Sequence, residues 1–152
     1  MKGARWLVTL AVFGGALLAG ERPASAQFCS FGATSVSFGS YDVFNPVPLA
    51  STGTVSYRCL FLQGMNVWLS KGLNAPTNNP RQLASGTDRL NYNLYLDPGH
   101  TQIWGDPNPN HYYDGTFNLW VTATVTVYGL IPAGQDVPAG NYTDSVTVTF
   151  NF

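Results

Sequence analysis

The chain has 152 residues, of which 45% are apolar and only 10% charged, with seven lysines and arginines against eight acidic residues for a formal net charge of −1. So sparse and balanced a charge argues against a nucleic-acid partner, because neutralising phosphates takes clustered Lys and Arg. It also provides no polybasic patch for anionic lipid.

The chain opens with Lys2 and Arg5, an apolar run from Trp6 to Leu18, and then Ala24-Ser25-Ala26. A basic start, a short apolar stretch and a small-residue site form the pattern of a secretory signal peptide, so residues 1–26 are predicted to be removed by a cut after Ala26. The apolar run is broken by Gly14 and Gly15 and falls short of the roughly 20 residues that span a bilayer. The remainder, 27–152, has 152 − 26 = 126 residues and fits one domain. It keeps Arg58, Lys71, Arg81 and Arg89 against seven aspartates, a net charge of 4 − 7 = −3, and has no glutamate. Both cysteines, Cys29 and Cys59, lie in the exported part, where an oxidising compartment favours a disulfide over free thiols or a metal site. Closing that loop is worth about 3–4 kcal/mol in the chain-entropy model.

From Gln27 onward, Val, Thr, Tyr and Phe recur in alternating runs bounded by Gly, Pro and Asn, without a 3.6-residue apolar period. That pattern predicts strands and no long helix. In chain order the predicted strands are 34–38, 53–61, 65–70, 90–96, 119–128 and 141–152. The last alternates most clearly, with Tyr142, Val146, Val148, Phe150 and Phe152 on one face and Thr143, Ser145, Thr147, Thr149 and Asn151 on the other. The Pro- and Gly-rich stretches 74–80 and 97–115 read as loops. Short strands separated by turn signals point to an all-β immunoglobulin-like sandwich or a barrel. Before the last strand, Gly129, Gly134 and Gly140 with Pro132 and Pro138 punctuate a connection. There Asp144 is expected to cap the turn or pair with Arg81 or Arg89.

Several anchors stand in order: Cys29, Phe38-Gly39-Ser40-Tyr41, Cys59, Leu69-Ser70-Lys71-Gly72, Arg81, Leu90-Asn91-Tyr92-Asn93-Leu94-Tyr95, Trp104-Gly105 and Tyr128-Gly129-Leu130-Ile131-Pro132-Ala133-Gly134-Gln135. The closing run is Pro138-Ala139-Gly140-Asn141-Tyr142-Thr143-Asp144-Ser145-Val146, continuing to Phe152. In these anchors the chain resembles the spore coat protein U family, which also forms the subunits of archaic chaperone-usher pili. The resemblance implies an all-β, immunoglobulin-like β-sandwich that lacks its last strand and is completed by a donor strand. A periplasmic chaperone lends that strand first, and the N-terminal extension of the next subunit then replaces it. The edge that accepts it would be Tyr142, Val146, Val148, Phe150 and Phe152, and left bare it would aggregate. The implied partners are the periplasmic chaperone, the outer-membrane usher and other pilus or coat subunits. The implied destination, after export via the periplasm, is the cell surface, as pilus or spore coat, with a structural rather than enzymatic role.

A cut after Ala26 leaves Gln27 and Phe28 ahead of Cys29, short of the roughly ten alternating residues that a donated strand needs. The expectation is therefore a subunit that accepts a strand and gives none, at a tip or cap, or a coat component. The alternative is a self-complete secreted carbohydrate-binding or adhesive module. In either case the aromatics Trp104, Tyr112 and Tyr113 of stretch 97–115 form the candidate adhesive loop. Asp106, Asn108, Asn110 and Asp114 superficially match a calcium loop, but His111 stands where the sharp turn needs Gly and Phe117 where a bidentate Glu belongs. His100 and His111 come without a nucleophile elbow or a zinc-binding helix motif. No catalytic residue, metal site or small-molecule cofactor is expected.

Overall fold

The structure, a computed structural model, describes residues 29–59, 65–106, 113–115 and 121–151. The predicted signal peptide, 1–26, lies outside them. Among the described residues are eight strands and no helix: β1 (Cys29–Thr34), β2 (Leu49–Cys59), β3 (Met65–Leu69), β4 (Arg81–Ser85), β5 (Asp88–Tyr95), β6 (Tyr113–Gly115), β7 (Ala123–Ile131) and β8 (Val148–Asn151). They form a five-stranded sheet in the order β1-β2-β7-β5-β4 and a three-stranded sheet in the order β6-β3-β8. Every ladder is antiparallel.

Alternation decides which face is buried. Val55, Tyr57 and Cys59 in β2, Met65, Val67 and Leu69 in β3, and Leu90, Tyr92 and Leu94 in β5 are all buried at two-residue spacing, and with Val127, Ile131 and Trp104 they make one core. Cys29 and Cys59 sit opposite each other in the β1–β2 ladder and are joined by the disulfide. The all-β, immunoglobulin-like sandwich expected from sequence is thus the architecture found.

Three strands went unread in the sequence: β1 but for Thr34, β4 and β6. β4 pairs with β5 through the two-residue turn Gly86-Thr87 between Ser85 and Asp88, with Gly86 at φ +58°, a first central position that glycine fills without steric cost. β6 lies inside stretch 97–115, read as loop, and pairs with β3. Where β7 ends, the register Asn93↔Leu130 would set Pro132 opposite Asn91, and proline has no N–H to give. The Gln135 carboxamide takes that place: it accepts from Asn91 N at 2.8 Å and donates to Asn91 O at 2.8 Å.

Two predicted strands differ from expectation for a common reason, that the chain leaves its partner strand. The stretch 34–38 is not a strand, because β1 occupies Cys29–Thr34 and the chain then leaves β2. Residue 129 is where it can do so: a Cβ on Gly129 would lie 2.6 Å from Val36 Cγ1 and 2.7 Å from Phe38 Cζ, so the glycine makes room for both side chains over the inner face. The last strand is likewise shorter than 141–152. Thr143 bridges Ala84 of β4, then the chain crosses to the other sheet, where β8 pairs with β3. Alternation of side chains thus continues through 142–150 while the ladder changes sheets, and Phe152 lies outside the described residues.

One side of the sandwich is sewn shut. Trp104 N donates to Leu94 O of β5 and Leu69 N of β3 donates to Gly105 O, so 104–105 joins the two sheets. Trp104 is fully buried and its Nε1 donates to Val67 O at 2.9 Å, which corrects its assignment to an adhesive surface: the indole is a core element with a satisfied N–H. Arg81 of β4, also fully buried, reaches across the same seam. Its guanidinium donates to Ser70 O (2.9 Å), Leu69 O (3.2 Å), Trp104 O (2.7 Å) and Asn93 Oδ1 (2.7 Å). Burial lowers its pKa to about 10, leaving it charged at neutral pH.

Removing this side chain takes a donor from four acceptors, of which Asn93 Oδ1 keeps the N–H of Leu94. Arg81→Ala is expected to lower the unfolding free energy by about 3–5 kcal/mol, with Arg81→Lys intermediate because one ammonium cannot reach all four. Guanidinium unfolding of the oxidised chain measures both. A loss below about 1 kcal/mol for Arg81→Ala would show that the seam closes without it.

Candidate functional site

The other side of the sandwich is open. After Thr34 the chain runs on to Phe44, and from Val137 it returns in the opposite sense to Val148. Between these two walls lies a cavity of about 350 Å³ at the β1–β8 end and a wider one of about 750 Å³ beyond it. The two are continuous, sharing Ser35, Val36, Phe38, Leu83 and Asp144. At one end Phe31 and Phe150 stack at 4.1 Å and close the groove. At the other, the Tyr41 hydroxyl donates to Pro132 O and accepts from Gln135 N, pinning the end of the first wall.

The floor is the core itself: Val55, Leu69, Leu94 and Val127, each at most 5% exposed, line the narrower part. Both walls have unpaired backbone. Among the described residues no strand pairs with 35–41, where the one contact to a carbonyl is Ser51 Oγ donating to Ser37 O at 2.6 Å. The outer side of β8 carries no ladder either.

The second wall is held off the core by Asp144. Its Oδ1 accepts from Leu73 N (2.9 Å), Asn74 Nδ2 (3.0 Å) and Ser145 N (2.9 Å), and its Oδ2 accepts from the Tyr92 hydroxyl (2.8 Å). Gly72, at φ +83°, lies so close that a Cβ there would overlap the carboxylate. Asp144 therefore anchors to the 72–74 turn and to Tyr92, rather than making the expected pair with Arg81 or Arg89.

Of the edge predicted from sequence, Val146 and Val148 line the narrower cavity, Tyr142 the wider one, and Phe150 caps the closed end. The opposite wall, with Val36 and Phe38, went unrecognised because 34–38 reads as an ordinary paired strand; the interior glycine at 129 is the signal that another segment crosses there. Of the predicted adhesive loop, Trp104 is in the core, Tyr112 lies outside the described residues, and Tyr113 is in β6. Asn108, Asn110, His111 and Phe117 also fall outside. Among the described residues no three His, Cys, Asp or Glu gather as metal ligands.

The sequence matches the family model for the Spore Coat Protein U domain over residues 16–149. Protein U of Myxococcus xanthus is 35% identical over 138 residues, covering 80% of this chain and 73% of that protein. A chain in the crystal structure of the CsuC-CsuE chaperone-tip adhesion subunit pre-assembly complex, from archaic chaperone-usher Csu pili of Acinetobacter baumannii, is similar with a TM-score of 0.64 and 25% identity. That match covers 83% of this chain and 40% of the other.

Burial, and then the hydrogen bond to Asp144, push the Tyr92 phenol up from its ordinary value of 10.0. Above that pH the unfolded chain releases this proton while the folded one keeps it, so stability falls as pH rises. Tyr92→Phe should reduce the alkaline slope of unfolding free energy by up to about 1.4 kcal/mol per pH unit. Arg81 contributes in the opposite sense but is present in both proteins. Urea midpoints from about pH 9 to 11 provide the comparison, and equal slopes would show that the phenol is not held neutral.

Proposed function

The chain belongs to the Spore Coat Protein U domain family, and from that membership we propose that it is a secreted structural subunit of a surface polymer, a pilus or spore coat, assembled by a chaperone-usher route. The observation that carries this is the open groove, whose floor is the hydrophobic core and whose two walls both present unpaired backbone. An extended strand from another chain would hydrogen-bond along a wall and place alternate side chains on Val55, Leu69 and Val127. The Acinetobacter likeness, to a chaperone–subunit complex, supports the same reading.

Magnitudes agree with it. The floor of the narrower part, Val55, Leu69, Leu94 and Val127, forfeits about 25 cal/mol for every Å² of apolar surface that a seated strand would cover. A small domain has only a modest stability from which to meet such a loss. The chain alone is then marginal and its bare edge prone to aggregate, and a periplasmic chaperone supplies the strand until an outer-membrane usher passes the subunit on. Val146, Val148 and Tyr142 form the receiving face, with Phe150 at its closed end. With the cut expected after Ala26, we read it as a receiving subunit, at the tip or cap of its polymer, or as a coat component.

Co-expression with the periplasmic chaperone of the same export system should convert an aggregating chain into a soluble 1:1 complex. Val146→Asp with Val148→Asp should cut recovery of that complex at least about tenfold, because charge would be buried unpaired in the groove. A chain that is monomeric, soluble and cooperatively folded on its own would overturn the proposal.

A further inference from the structure

The outer face of the three-stranded sheet borders a separate hollow of about 600 Å³, and we propose that it is a binding site for a neutral sugar unit of a glycan. Among the described lining residues it shares only Leu69 with the groove. A strand seated in the groove therefore leaves it uncovered, and the inference is independent of the acceptor reading.

Its base is the β3–β8 ladder. Val67 and Leu69 are buried in the core, so Trp68 between them is on the outer face, half-buried and opposite Thr149 in the register. One side is the 76–79 turn, which is tied down at several points. Lys71 Nζ donates to Pro76 O at 3.3 Å, the Thr77 hydroxyl to Asn79 O at 3.1 Å, and Asn93 Nδ2 to Asn79 Oδ1 at 3.2 Å. The Asn78 side chain lies against Gly105 of the closed seam, where a Cβ would come within 3.1 Å of its Nδ2. Asp106, next in the chain, also lines the hollow. The site is thus formed before a ligand arrives, and binding requires little ordering of the protein.

A pyranose ring has an apolar face of C–H groups and a rim of hydroxyls. Trp68 supplies the large apolar surface that such a face needs, and Thr77, Asn78 and Thr149 bring hydroxyls and a carboxamide to exchange hydrogen bonds with the rim. The volume of about 600 Å³ lies within the usual range for small-ligand sites, about 300–1,000 Å³. Charge selects among sugars. Lys71 and Asp106 are the only charged groups among the described lining residues, so an anionic ring would face the carboxylate and a cationic one the ammonium. A wholly apolar ligand would strip the polar groups of water and return nothing. A peptide finds no free strand edge on β3, which is paired on both sides, and so lacks the main-chain bonds by which strands dock on sheets.

The test applies the oxidised full chain, as its chaperone complex where that is the soluble form, to an array of oligosaccharides. Neutral hexoses, deoxyhexoses and N-acetylhexosamines stand beside uronates, sulfated sugars and amino sugars. Retention on at least one neutral oligosaccharide is expected. Trp68→Ala should weaken it at least about tenfold, Trp68→Tyr, which keeps an aromatic face, about threefold, and Thr149→Val, which removes only a hydroxyl, about fivefold. Unfolding midpoints show which variants are folded, and should Trp68→Ala not fold, the other two carry the comparison. Retention on no neutral oligosaccharide, retention on charged ones alone, or folded variants that bind as well as the parent overturns the inference. Each of these results leaves the acceptor reading intact, because that reading is judged by formation of the chaperone complex.

Discussion

Asp144 accepts hydrogen bonds from Leu73 N, Asn74 Nδ2, Ser145 N and the Tyr92 hydroxyl, and through them holds a segment that has left one sheet before it joins the other. Thr143 is still bridged to β4 of the five-stranded sheet; five residues later Val148 is paired with β3 of the three-stranded one. A crossing backbone has no ladder of its own, and its polar groups must be met by side chains or water. With the carboxylate anchored to the 72–74 turn and to Tyr92, the segment stays at the rim. Freed, it would be drawn toward the uncovered floor, since closing an apolar gap is favourable wherever the backbone permits it.

The sequence made the core readable because strand alternation is a local property. Leu90, Tyr92 and Leu94 of β5, and the inward series Tyr142, Val146, Val148 and Phe150, are legible from period two alone. The pairing partners are not. Residues 34–38 alternate like a strand, yet Val36 and Phe38 lie over Gly129, a contact between positions some ninety apart that no local pattern encodes. Trp104 misled for a related reason: a Pro- and Gly-rich neighbourhood signals surface, but Trp104 N and Gly105 O serve as a stitch between β5 and β3, and the indole follows the backbone inward. Arg81 is the sharpest case. The sequence offers it as a partner for Asp144, and only the assembled seam supplies the four acceptors that make its burial tolerable.

The two seams of the sandwich are therefore treated oppositely, and the contrast has a physical consequence. On the closed side Arg81 and Trp104 fix the distance between the sheets with hydrogen bonds shielded from water, where they are least weakened by solvent. On the open side the first wall is spaced by Val36 and Phe38 resting over Gly129 and pinned by Tyr41, and the second by Asp144. Neither wall can move inward without breaking these contacts. The opening thus has its width set before anything enters it. On the acceptor reading proposed above, a strand entering a groove of set width would cost mainly its own ordering, and the stability gained on filling it would hold two chains together.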